Sequence, residues 1–382
     1  MRIVFLVERP TQFEAPFYRF AARDAEHELR VLFTSADAAE PVFDPELGRP
    51  VSWGIDLLEG YRYQICPPRD QALWLGEQLR PEGCDLLIIN GYTQPLYRMG
   101  ARLAKRAGIA TALRLDSVLW NGSAMRKLAK QLLFSLYLRR RFDLFLGVSS
   151  LTLDYLRTFG VLPESVGLFP YAVDVEDFRS RSVLSPDERA AFRERLGVPV
   201  NSRVVLSLAK FHDREAPWDL LHAFSRNGQE DLWLVLAGDG PARAGLERFA
   251  RERELDRVRF PGYVSYIELP VLYAAADLFV HAAREERWGV SVQEALACGL
   301  PVVASSRVGA GHDLIESGGN GFIYSAGDDE ELAFRIDEAL ALPRERVGDR
   351  SREILARWDY PAAWRSLLEA ARRVTGQRQG IK

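Results

Sequence analysis

Short apolar runs recur along this chain at intervals filled by longer stretches of helical periodicity, and no other feature so narrows what it can fold into. In the first half the runs fall at Arg2–Val7, Leu29–Phe33, Asp85–Ile89, Ala110–Arg114, Leu144–Val148 and Ser165–Phe169. In the second they fall at Arg203–Leu208, Leu232–Ala237, Val258–Phe260, Asp277–His281, Pro301–Ala304 and Gly321–Tyr324. Strands that are apolar throughout, rather than on alternate residues, are buried on both faces, as in parallel sheets covered by crossover helices. Two such sets predict an α/β protein with two doubly wound, Rossmann-like domains. At 382 residues the chain is too long for one comfortable core and suits this division.

The first domain is expected over 1–170. A polar stretch that begins at Tyr171-Ala172-Val173-Asp174 and contains Pro186 and Pro199 reads as a linker over 171–200. The second domain follows over 201–358. A helix within 359–382, carrying Trp364, Leu367 and Leu368, is expected to return to the first domain. Ligands of open parallel sheets bind outside the carboxyl ends of the strands, which predicts a site in an interdomain cleft.

Composition excludes several classes. A formal charge of −3 points neither to nucleic acid nor to a strongly acidic partner. Cys66, Cys84 and Cys298 are odd in number and lack CxxC spacing, which argues against a disulfide framework or a zinc site and for a reducing, cytoplasmic setting. No apolar segment reaches the length of a membrane span. No GxGxxG follows either leading strand, which disfavours a dinucleotide dehydrogenase.

The stretch Glu286-Arg-Trp-Gly-Val-Ser-Val-Gln-Glu294 sets two carboxylates across a loop and the first turns of a helix, with seven residues between them. Ionised Glu only accepts hydrogen bonds, so such a pair suits a polyhydroxylated ligand. Gly289 lets backbone approach the ligand, and the amides of Val290 and Ser291 open a helix whose N-terminus attracts phosphate. Beyond it come Gly299-Leu300-Pro301-Val302-Val303 and the loop Val308-Gly309-Ala310-Gly311, whose amides could form an anion nest.

In that order, these three elements resemble the E-x7-E signature and following motifs of retaining glycosyltransferases of family 4. That resemblance implies the GT-B fold, a nucleotide diphosphate sugar as donor, a sugar or lipid-linked hydroxyl acceptor, and neither cofactor nor metal. Residue by residue, it implies that Glu286 contacts the transferred sugar near the reacting centre and that Glu294 accepts from the ribose hydroxyls. Phe260-Pro261-Gly262-Tyr263 resembles the segment that lines the base, which puts Gly262 and Tyr263 at the donor.

Departure of a glycosyl group leaves negative charge on phosphate, so cations are required there. The family supplies one cation just after the first strand of the second domain and a Lys five residues later. Lys210 fits the first position, but the second is Glu215, with Arg214 beside it as the substitute cation. A carboxylate facing a diphosphate costs about 1 kcal/mol at 4 Å even in water. His281, at a strand end, reads as a core histidine.

The first domain has no Gly-Gly loop after its first strand. Glu14, Arg114 and Asp116 could bind acceptor or sugar hydroxyls, and an ion pair at a strand end explains Arg114 and Asp116 equally well. From 122 to 142 the chain carries Arg126, Lys127, Lys130, Arg139, Arg140 and Arg141 and no acidic residue. A helix basic at both ends and apolar between could lie peripherally on the inner face of an anionic membrane, or pack as an ordinary domain helix. The function implied is transfer of a sugar from UDP- or GDP-sugar in cell-surface polysaccharide or glycolipid assembly. Its rivals are a catalytically impaired binding scaffold, suggested by Glu215, and a sugar-nucleotide epimerase.

Overall fold

The computed structural model describes residues 1–36, 38, 42–44, 49–51, 54–120 and 123–379. Gly122, where the basic stretch begins, lies outside them. The chain divides into two compact units: Met1–Glu40 with Asp56–Ala172 and Tyr360–Lys382, and Pro41–Ile55 with Val173–Asp359.

In chain order the first strands are β1 (Arg2–Val7), β2 (Glu28–Phe33), β3 (Val42–Asp44), β4 (Arg49–Val51), β5 (Arg62–Ile65), β6 (Leu86–Asn90), β7 (Ala110–Leu115), β8 (Leu144–Gly147) and β9 (Val166–Leu168). All but β3 and β4 form one seven-stranded sheet of order β5-β2-β1-β6-β7-β8-β9. The remaining two pair as an antiparallel hairpin. The second unit contributes β10 (Arg203–Lys210), β11 (Leu232–Asp239), β12 (Val258–Gly262), β13 (Leu278–His281), β14 (Val302–Ser305) and β15 (Gly321–Tyr324), in the order β12-β11-β10-β13-β14-β15. Every neighbouring pair in both large sheets is parallel.

The apolar runs became central strands because both faces are covered: Ile3 to Val7 and Leu86 to Ile89 are all buried. Strand β5 was not legible as such, since Arg62-Tyr63-Gln64 is an exposed edge with no apolar run to mark it.

The stretch 171–200 is not an open linker. It carries the helices Val175–Arg181 and Pro186–Arg195, the second opened by a capping box in which Ser185 Oγ accepts from the Glu188 amide (3.2 Å) and Glu188 accepts from the Ser185 amide (2.8 Å). Arg193, 2% exposed, anchors this segment in the second unit. Its guanidinium donates to the carbonyls of Ala275 (2.9 Å), Val200 (2.7 Å) and Ser202 (2.6 Å) and to Asp277 Oδ2 (2.7 Å). A buried cation with its donors so paired is held firmly in place. Proline and charge made the segment look like solvent-exposed chain; the buried partners of Arg193 decide otherwise.

The last helix, Tyr360–Gln379, belongs to the first unit. Tyr360, Ala363, Trp364, Leu367, Ala371 and Val374 recur at helical spacing and bury into the core that contains Phe5, Phe17 and Phe169. Trp364 Nε1 donates to Asp24 (2.7 Å), which satisfies the indole as its ring is buried. Leu367 is fully buried in this cluster. Its replacement by Ala is expected to cost about 2–5 kcal/mol, read as a lowered midpoint in urea denaturation.

Candidate functional site

In the second sheet β10 has β11 on one side and β13 on the other, so the chain winds outward in both directions from β10. The carboxyl ends of β10 and β13 flank the crevice that such a reversal opens. Lys210 ends β10 and His281 ends β13. Glu215 closes the short turn Asp213–Glu215 after β10, and Glu286 lies in the loop after β13. Ligand-capable atoms of Glu215, His281 and Glu286 all lie within 4.8 Å of one another.

Glu286 is fixed by a backbone zipper between its loop and the one after β14. Its amide donates to the Arg307 carbonyl (2.9 Å), and its carbonyl accepts from Gly309 (2.9 Å). The Trp288 carbonyl accepts from Ala310 (2.7 Å). A Cβ at Gly309 would stand 2.0 Å from the Arg287 carbonyl oxygen, so only glycine permits this approach. The zipper corrects the anion nest expected at Gly309-Ala310-Gly311. Gly311 donates to the Val308 carbonyl (3.1 Å), so all three amides are engaged within the protein. Glu286 Oε1 accepts from the Trp288 amide (3.3 Å), and the Trp288 ring, 2% exposed, stacks on Trp358 at 5.2 Å.

Gly289 adopts φ +95°, a left-handed conformation that turns the loop into the helix Val290–Ala297. The first-turn amides of that helix, Val290 and Ser291 among them, have no intrahelical acceptors. One turn later Glu294 is buried and its Oε2 accepts from Tyr273 OH at 2.8 Å. Burial outweighs that hydrogen bond and pushes the carboxyl up to about 7.

Of the expected cations, Lys210 is half-buried at the strand end. The Arg214 side chain is 49% exposed, with Nη2 3.4 Å from Glu215 Oε1. Glu215 is turned into the protein, 9% exposed, and burial raises its carboxyl above the ordinary range despite the nearby His281. Two residues that the sequence did not single out brace this turn. Arg284 donates from its amide to the Arg214 carbonyl (2.8 Å), and its guanidinium grips buried Asp219 with bonds of 2.9 and 2.7 Å. An Asp in the first turn of the helix Pro217–Ser225 reads locally as dipole complement, so nothing near it in sequence pointed to Arg284. Gly262 closes β12 beside Ala237 of β11, and Tyr263 follows it half-buried.

In the first unit Glu14 and Arg114 form a buried ion pair (2.9 Å), with Asn90 donating to the same carboxylate oxygen (3.0 Å). Arg114 also donates to the Pro170 carbonyl (2.9 Å), and its guanidinium lies over the rings of Phe169 and Tyr171 at 4.2 and 4.3 Å. Asp116 is half-buried just beyond β7. The strand-end ion pair considered for Arg114 with Asp116 is made with Glu14 instead, which also meets Asn90 at the end of the neighbouring strand β6. Burial raises the Glu14 carboxyl in spite of Arg114.

Glu294 has a folded-state pKa above its ordinary value of 4.5, so its protonated form is favoured by folding. That contribution is complete below about pH 4.5 and is lost as pH rises through about 7. Stability is therefore expected to fall between pH 5 and 6.5, at up to about 1.4 kcal/mol per pH unit from this group. Thermal unfolding across that range checks this, and Glu294→Gln should remove the slope.

Comparisons with known proteins agree with this geometry. Residues 188–354 match the family model described as glycosyl transferases group 1. D-inositol 3-phosphate glycosyltransferase of Mycobacterium bovis is 32% identical over 232 residues, covering 57% of this chain and 46% of that protein. The Mycobacterium tuberculosis protein of the same name matches equally. The chain thus spans about half the length of the curated relatives it matches. Among solved structures, HepE of Anabaena in complex with UDP superposes with TM-score 0.76 at 21% identity, covering 97% of this chain and 99% of HepE. A glycosyltransferase from Rickettsia africae superposes with TM-score 0.77 at 14% identity, covering 98% of each chain. This chain therefore has the GT-B fold, and residues 188–354 of its second unit are similar to the glycosyl transferases of group 1.

Proposed function

We propose that this chain is a retaining glycosyltransferase of family 4 that moves a sugar from UDP- or GDP-sugar to a hydroxyl acceptor. The observation that supports the reading is Glu286 in the loop beyond the carboxyl end of β13, followed by Glu294 on the helix Val290–Ala297, both inside the segment matched by the family model. There Glu286 accepts from sugar hydroxyls and Glu294 from the ribose. The helix start at Val290 and Ser291, with Lys210, receives the diphosphate. HepE, of like fold, has been solved with UDP-glucose, which supports a uridine nucleotide as the first donor to try.

In the proposed reaction the bond between anomeric carbon and phosphate oxygen breaks as the acceptor oxygen bonds to that carbon on the same face. The acceptor's proton passes to the departing phosphate, so no protein nucleophile is needed. A second reading, a scaffold that binds nucleotide without turnover, draws on Glu215 standing where a cation is expected.

The acceptor is proposed to be lipid-linked, met at the inner face of the cytoplasmic membrane. The helix Ala124–Leu133 has no buried residue, and its continuation through the π-helical turn Phe134–Leu138 buries only Phe134 and Leu138. Met125, Leu128, Leu132 and Leu136 are 51–78% exposed at helical spacing, flanked by the six cations of the basic stretch. An exposed apolar stripe rimmed with cations suits an anionic bilayer, at about 1 kcal/mol per cation. Among the described residues no helix is long and apolar enough to cross a membrane.

Two measurements test this. Purified protein offered UDP- and GDP-sugars with lipid-linked and soluble sugar acceptors should form a product whose anomeric configuration, read by NMR, matches the donor. Glu286→Ala should lower the rate at least about a hundredfold. Flotation with vesicles containing phosphatidylglycerol should carry the protein upward at low salt, and Leu128→Glu with Leu132→Glu should abolish it.

A further inference from the structure

Glu286 and Glu294 stand on different elements, the first in the loop after β13 and the second on the helix Val290–Ala297. Between them in sequence lie Trp288, 2% exposed, and Gln293, fully buried. The side chains of both meet one residue, Trp358. The Trp288 and Trp358 rings stack at 5.2 Å with 30° between their planes, and Gln293 Nε2 donates to the Trp358 carbonyl (2.8 Å). Trp358 is itself fixed, since its amide donates to the Leu355 carbonyl (2.8 Å) at the close of the helix Arg344–Leu355. Trp288 in turn reaches Glu286 directly, its amide donating to that carboxylate (3.3 Å). One residue thus grips the acid-bearing segment on both sides of the helix start at Val290 and Ser291.

This packing is not the one that stability alone would favour. Trp288 Nε1 and Gln293 Oε1 are buried with no hydrogen-bond partner among the described residues. Buried polar atoms left so are costly, and apolar side chains of like volume avoid the cost. The contacts that the pair makes with Trp358 are the better account of it.

We propose that Trp358 is a positioning residue for the donor: its ring holds Trp288 and with it the Glu286 carboxylate, while its carbonyl holds Gln293 and with it the turn of helix that carries Glu294. What the two acids bind rests on the donor reading above; the clamp rests on these contacts alone. A group displaced by about 1 Å from an aligned transfer can cost about a hundredfold in rate, so a residue that fixes the acids acts on the reaction without touching the donor. Because ring and carbonyl hold different acids, loss of the ring disturbs the sugar end of the donor and leaves the nucleotide end in place. Replacement of Gln293 does the reverse.

The experiment uses the full chain and three variants, each with an unfolding curve to establish that it folds. Hydrogen exchange of the amides from 286 to 297 should be at least about tenfold faster in Trp358→Leu and near wild type in Trp358→Phe, which keeps a stacking ring. Trp358→Leu should turn over UDP- or GDP-sugar at least about tenfold more slowly while calorimetry finds UDP and GDP affinities within about twofold of wild type, and Trp358→Phe should restore the rate. Gln293→Leu should weaken UDP or GDP at least about threefold. If Trp358→Leu does not fold, Trp358→Phe and Gln293→Leu carry the test through exchange and nucleotide affinity. Exchange unchanged in Trp358→Leu and Gln293→Leu overturns the clamp. Faster exchange with wild-type turnover and nucleotide affinity overturns the positioning role and leaves the donor reading intact. A wild type that binds neither nucleotide, or turns over no sugar, overturns the donor reading, and exchange then decides the clamp by itself.

Discussion

The parallel pairing of β10 with β13 at the centre of the second sheet is tied to its surroundings at one end by a single carboxylate. Asp277, immediately before β13, accepts from the Val204 amide of β10 (2.8 Å), from Arg193 (2.7 Å) and Arg189 (2.7 Å), and from Arg344 (3.4 Å). One acidic group thus ties two strands, the helix Pro186–Arg195 and the helix Arg344–Leu355 together at the amino ends of the strands. Such a partly buried anion is tolerated because several cations and an amide share it; removal of the carboxylate would leave Arg193 buried without its counter-charge. Because β10 and β13 are locked side by side at one end, their opposite ends must open beside each other, and the candidate site lies there.

At that open end rigidity comes from backbone instead of charge. The loop Glu286 to Trp288 and the loop Arg307 to Ala310 exchange amide and carbonyl groups, and Gly309 permits the approach. The amides of Gly309, Ala310 and Gly311 are spent inside the protein, and those of Gly309 and Ala310 help to hold the loop that carries the Glu286 carboxylate. Glu294, on the helix that follows, is held by Tyr273 in a dry setting where its charge is disfavoured. A hydroxyl-rich ligand that donates to this carboxylate would relieve the cost of ionising it.

The two units were legible to different depths. The central strands announced themselves because both faces are buried and their middle residues are almost all apolar. The edge strand Arg62–Ile65 did not, for its side chains meet solvent and carry no pattern. The helices of 175–195 were obscured by proline and charge, although Ser185 and Glu188 already spelled a capping box. In the site, Glu286 and Glu294 were visible through their spacing along one loop and helix. His281 was passed over as a core residue, although the topology makes the ends of β10 and β13 neighbours.

By itself the sequence determined the parallel architecture, the two-sheet division and the acidic pair, because these follow from local burial patterns and short-range spacing. Only the tertiary structure decided that Glu215 turns inward to meet His281 and Glu286, that Arg284 clasps Asp219, and that Glu14 rather than Asp116 pairs with Arg114. These partners lie between about 65 and 100 residues apart or on separate strands. Their meeting is set by strand order and by the desolvation of charged groups, and neither leaves a mark in the neighbouring sequence.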